Sequence, residues 1–134
     1  MSLSIGCVTL LVRDYDEAIA FYTGRLRFSV AEDADQGGGR RWVVLAPPGP
    51  PATLLLLALA KSEAELACVG RQAGGRVFLF LNTDDFEGDH RGMLARGVRF
   101  LEEPRAEAYG TVAVFEDLYG NKWDLIEPRP RGAN

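Results

Sequence analysis

Hydrophobic positions along the chain switch between two periods. Residues 5–12 are almost continuously apolar and rich in β-branched side chains, the pattern of a buried strand. Asp14 follows as a helix N-cap, with Glu17 three positions on in a capping-box arrangement. Tyr15, Ala18, Ile19, Tyr22 and Leu26 then recur at helical spacing and form one apolar stripe. Gly24 falls near the end of that helix, and alternation resumes as a strand over residues 27–30. The same order returns later. Residues 76–81 read as a strand, and Asp84 or Asp85 caps a helix, with Glu87 three residues after Asp84. Phe86, His90, Met93 and Leu94 make its inner stripe, Gly97 ends it, and residues 98–101 read as the next strand.

Tyr15 corresponds to Phe86 at an offset of 71, and Phe28 to Phe100 at an offset of 72. Each half continues with two more strands, over residues 41–46 and 52–59 in the first and 110–116 and 122–126 in the second. Strand, helix, three strands, given twice, is a strong organisational signal. The expected fold class is α+β, with one βαβββ module over residues 1–60, a linker over 61–75, a second module over 76–128 and a tail over 129–134. Within the linker, residues 62–69 suit a helix. Residues 33–39, with Gly37, Gly38 and Gly39, read as a flexible hairpin tip, and the run 47–51 of four prolines around Gly49 as a rigid turn.

Composition narrows the function classes. A chain of 134 residues makes one domain or two small halves sharing a core. At 47% hydrophobic and 25% charged it is an ordinary globular composition, and no apolar run approaches the ~18 residues that span a bilayer. The first residues lack a basic segment followed by an apolar one, and neither Cys7 nor Cys68 belongs to a C-x-x-C pair. Both therefore read as reduced thiols, and a cytoplasmic location is expected. A net charge of −4 argues against a nucleic-acid partner, which needs a basic face.

The segment 114–127 carries the most specific pattern. Two apolar-rich strands flank a turn built from Asp117, Gly120 and Asn121, and a lone acid, Asp124, sits between Trp123 and Leu125 in the second strand. Two strand–helix–three-strand modules with an Asp-x-x-Gly-Asn turn before an acid-bearing final strand resemble the vicinal oxygen chelate superfamily, the glyoxalase, bleomycin-resistance and extradiol-dioxygenase group. Residues 11–22 and 117–126 carry the resemblance best. It implies a curved mixed sheet from each half around a cup-like cavity, and a homodimer. In metal-using members it implies four ligands, from the first and last strands of each module. Carried over by position, these are Cys7, one of Leu55, Leu56 and Leu57, Phe78 and Asp124. Leucine and phenylalanine do not coordinate, and a thiolate with one carboxylate falls short of the three protein ligands of a catalytic zinc site. No metal cofactor is therefore expected.

Asp124 is left as either a ligand anchor or a carboxylate bonded into the fold, and as a weak catalytic candidate if burial raises its pKa. Cys7 would line the same cavity or fill it as a small buried hydrophobe. Trp42, Phe78, Phe80 and Tyr109 are candidate ligand-lining aromatics, and strand alternation puts Phe78, Phe80 and Asn82 on one face. His90, the only histidine, reads as packing its helix onto the sheet. The expected activity is metal-independent binding of a small molecule, such as a drug or metabolite. The alternative is a metal-dependent lyase, epimerase or dioxygenase.

Overall fold

The protein is described by a computed structural model covering residues 1–50 and 52–130. The chain forms two compact units, residues 1–72 and 73–134. The first contains β1 (Cys7–Val12), α1 (Tyr15–Gly24), β2 (Ser29–Gly37), β3 (Arg40–Ala46), β4 (Leu54–Leu59) and α2 (Glu63–Cys68). Its sheet has the order β1-β4-β3-β2, with β1 parallel to β4 and the other pairs antiparallel. The second contains β5 (Val77–Asn82), α3 (Phe86–Ala95), β6 (Arg99–Phe100), β7 (Arg105–Glu107), β8 (Gly110–Glu116) and β9 (Lys122–Pro128). Its order is β5-β9-β8-β6, with β7 also paired to β8 and β5 parallel to β9. The architecture is thus α+β with two mixed sheets, the repeat read from the sequence.

Local chemistry sets the elements. Asp14 caps α1 by accepting from the Glu17 N–H at 2.8 Å, and Tyr15, Ala18 and Tyr22 are its buried face. Tyr22 is fully buried and meets Phe28 edge-on at 5.4 Å between ring centres. The period of two sorts the first sheet. Leu10, Leu57 and Val43 share one fully or nearly fully buried face, while Cys7, Thr9 and Leu56 share the other. Asp85 is the cap of α3, accepting from the Gly88 N–H at 3.1 Å, so Glu87 makes no capping box there. His90 stacks on Phe86 and meets Phe100 edge-on at 4.5 Å, consistent with a packing role. The 62–69 stretch does form a helix, α2, capped by Ser62. Behind it Gln72 bonds the β1 edge, accepting from Leu11 N and donating to Thr9 O.

Three expectations change. The stretch 33–39 is not a loose tip, because β2 runs through Gly37 and only Gly38 and Gly39 turn. Arg41 holds the strand by bonding Asp33 at 2.8 Å and Asp16 at 2.9 Å. The strand expected over 98–101 shortens to two residues, and its edge of the sheet resumes as β7 after Pro104, which has no N–H to give a ladder. Cys7 is exposed rather than a buried hydrophobe, since β1 begins there and its face is open. Pro51 and residues 131–134, parts of the expected turn and tail, lie outside the described residues.

Candidate functional site

The turn between β8 and β9 fixes the register that positions the acid. Asp117 Oδ1 accepts from the N–H groups of Tyr119 at 3.0 Å and Asn121 at 2.9 Å, and its Oδ2 accepts from Asn121 Nδ2 at 3.0 Å. Both side chains are buried, and Gly120 takes the positive φ of 96° that closes the turn. From that turn the ladder counts back to Val114 opposite Asp124, and the parallel pairing puts Phe80 on its other flank. Asp124 therefore stands in β9 between Val114 and Phe80, all on one face.

Asp124 is only 7% exposed, and among the described residues its Oδ1 accepts no hydrogen bond. Burial pushes its carboxyl above the ordinary value of 3.8. The Arg105 guanidinium pulls it back down, and the Glu102 carboxylate adds to the rise. This is not the pattern of a carboxylate secured by backbone amides or by a paired arginine.

The two modulating charges come from the interrupted edge. Where β6 stops, Glu102 Oε2 accepts the Val114 N–H at 3.1 Å, standing in for a ladder carbonyl. The same oxygen accepts from Arg105 Nε at 3.0 Å, and Arg105 also donates to Glu107 at 2.7 Å. Arg105 is thus hydrogen-bonded to two carboxylates and acts on Asp124 only through space. Sequence reasoning missed Glu102 and Arg105; the signal was Pro104, which breaks the edge strand between them.

A groove of about 720 Å³ opens on this unit, lined by Gly75, Arg76, Val77, Phe80, Leu101, Glu102, Val114 and Lys122. Both strand neighbours of Asp124 are in its wall. Phe80 is 63% exposed on this face, and Leu101, also in the groove wall, is 40% exposed.

The residues singled out from sequence separate accordingly. Phe80 and Asp124 come together as direct partners, and Asn82 sits two places further along β5, opposite Ile126. Tyr109 lies 53% exposed where β7 turns into β8. Phe78 does not share their face. The β5–β9 register slips between Val77 and Leu79, leaving Phe78 as an extra residue that turns to meet Trp123 edge-on at 6.2 Å. Cys7 and Trp42 belong to the first sheet, where Cys7 pairs with Leu54 and Trp42 donates its indole N–H to Glu32.

The donor set beside Asp124 does not suit a divalent cation. Its flanking positions, Phe80 and Val114, have no ligating side-chain atoms, and the Glu102 carboxylate that acts on its charge is engaged with Arg105 and Val114. No three His, Cys, Asp or Glu side chains cluster as metal ligands among the described residues. Nor is any helix among them long and apolar enough to cross a membrane.

The duplicated βαβββ order, the mixed sheets and the acid-bearing final strand define the chain's class. It belongs to the glyoxalase/bleomycin resistance protein/dioxygenase superfamily, whose family model matches residues 4–125. The chain is 52% identical over 128 residues to an uncharacterised protein of Shewanella frigidimarina (strain NCIMB 400), covering 95% of each chain. Among solved structures it is similar to UcmS2, at 28% identity and a TM-score of 0.81, covering 95% of this chain and 99% of that one. It is also similar to TnmS3, an antibiotic binding protein from Streptomyces sp. CB03234. That match has 28% identity and a TM-score of 0.76, covering 96% of this chain and 99% of that one.

Proposed function

We propose that this chain is a metal-independent small-molecule-binding protein whose ligand seats on the Asp124 face of the second sheet. The observation that carries the reading is the Asp124 carboxylate. It is buried, one of its oxygens has no hydrogen-bond partner among the described residues, and it stands between two groove-lining residues. Burying the carboxylate with an unmet acceptor costs about 1–3 kcal/mol, and a ligand that donates to the part of it left exposed offsets some of that on binding. Phe80, Leu101 and Val114 supply apolar contact around it, the usual make-up of a small-molecule site. The antibiotic-binding relative supports the same class of activity, with an antibiotic or metabolite as the occupant. Homodimer formation belongs to this proposal, since β2 lies at the edge of its sheet with all nine residues exposed.

A thermal-shift screen of dialysed, EDTA-treated protein against a metabolite and antibiotic library tests the reading. A ligand at about 100 times its Kd raises stability by about 2.7 kcal/mol. A hit that shifts the wild type clearly more than Asp124→Asn is the expected result, because an amide oxygen is a weaker acceptor than a carboxylate. Activity, or a large melting shift, gained only on adding Zn²⁺, Ni²⁺, Mn²⁺ or Fe²⁺ would instead establish a metal-dependent member.

A further inference from the structure

The groove that opens beside Asp124 also carries positive charge. Arg76 and Lys122 both line it, and neither makes an ion pair among the described residues. Lys122 shares the Asp124 face, two residues earlier on β9, and is directly opposite Val77, the neighbour of Arg76. Its cross-strand partner on β8, Glu116, would be the natural counter-ion, but Glu116 is paired with Arg99 at 3.2 Å. The other acid in the groove, Glu102, is taken by Arg105. The two cations therefore face the groove with no carboxylate committed to them. Beside these charges the wall is apolar, from Val77, Phe80 and Val114. Two residues of strand separate the backbone positions of Lys122 and Asp124, about 6.6 Å at ~3.3 Å per residue.

We infer that Arg76 and Lys122 form an anion subsite, so that the ligand is an amphiphile with an anionic oxygen group at one end. Its hydrogen-bond donor lies about one aromatic ring system away and meets Asp124. The proposal rests on the binding reading given above and adds the chemical class of the ligand. A plain cation would meet Arg76 and Lys122 as like charges. A plain anion without a donor would bring a like charge toward the Asp124 carboxylate with no hydrogen bond to offset it. The mixed character explains how a site with a buried acid need not select a cation. Its cationic end is exposed at Arg76, so the attraction there weakens as salt rises.

Two fluorescent probes separate the subsites. One is 2-(p-toluidino)naphthalene-6-sulfonate, with its N–H and sulfonate at opposite ends of one naphthalene. The other is its neutral parent, N-(p-tolyl)-2-naphthylamine, which keeps the N–H and lacks the sulfonate. Affinities are measured for the wild type, the double variant R76Q/K122Q and Asp124→Asn, with circular dichroism melting to confirm that each is folded. The sulfonate probe is expected to bind the wild type about fivefold more tightly than the parent, the yield of two partly exposed charge contacts. R76Q/K122Q is expected to erase that preference and its salt dependence. Asp124→Asn is expected to weaken both probes. Equal affinity for the two probes, or a preference that survives in R76Q/K122Q, overturns the anion subsite alone. Parent binding that is indifferent to Asp124→Asn, or no binding of either probe, overturns the Asp124 reading and the subsite with it.

Discussion

Asp124→Asn is expected to stabilise the protein at neutral pH. The carboxylate lies buried in a strand, and one oxygen has no hydrogen-bond partner among the described residues. Asparagine keeps the shape and an acceptor but carries no charge to desolvate. The relief expected from removing an orphaned buried anion is at least about 1 kcal/mol, or ~3–5 °C in melting temperature for a chain of this size. The pH dependence gives the sharper test. Burial raises the folded-state pKa of Asp124 above the ordinary 3.8. Between those two values the folded protein holds a proton that the unfolded chain has released. Wild-type stability therefore falls as pH rises through that window and is level above it. The variant lacks this slope, so its advantage is largest near pH 7 and closes as pH falls toward 3.8. Melting curves of both proteins from pH 4 to pH 8 read this directly. A variant that melts lower than wild type at pH 7, or one whose disadvantage grows with pH, would refute the reasoning. Asp124 would then be a structural carboxylate.

Glu102→Ala removes the acceptor of the Val114 N–H, and is expected to lower stability by about 1 kcal/mol and to speed amide exchange at Val114 specifically. Gly110→Ala is expected to lose at least about 2 kcal/mol in a denaturant melt. Its φ is +153°, and an added Cβ would lie 2.3 Å from the Glu127 carbonyl oxygen, a backbone atom that cannot swing aside. Asp117→Ala removes three acceptor contacts from the buried β8–β9 turn and is expected to cost about 2–4 kcal/mol. Because that turn sets the register at Asp124, the same variant should also weaken ligand binding in the thermal-shift assay.

The parts of the fold that a single periodic signal dictates were legible in the sequence. Asp14 and Glu17 marked the start of α1, and the stripe from Tyr15 to Tyr22 marked its buried face. The Asp117, Gly120 and Asn121 turn marked the last hairpin, because those residue types favour tight or left-handed backbone geometry. Pairing irregularities were not legible. The slip after Val77 turns Phe78 away from the face of Phe80 and Asp124, and strand alternation read from sequence has no means of registering an inserted residue. The polar neighbours of Asp124 were missed for a related reason. Glu102 and Arg105 act on its charge from the interrupted edge between β6 and β7, so their roles depend on a cross-strand arrangement that no local pattern contains. Cys7 was misjudged because a cysteine in an apolar run reads as buried, whereas β1 starts at that residue with its side chain on the open face.

The most direct measurement is a ¹⁵N HSQC titration of the EDTA-treated protein with the strongest hit of the thermal-shift screen. The expected result is a set of saturable shifts centred on Phe80, Val114 and Asp124, weakened in Asp124→Asn and unchanged by added divalent metal. Shifts that map away from β5, β8 and β9, or that appear only after a divalent metal is supplied, would contradict metal-independent binding at this face.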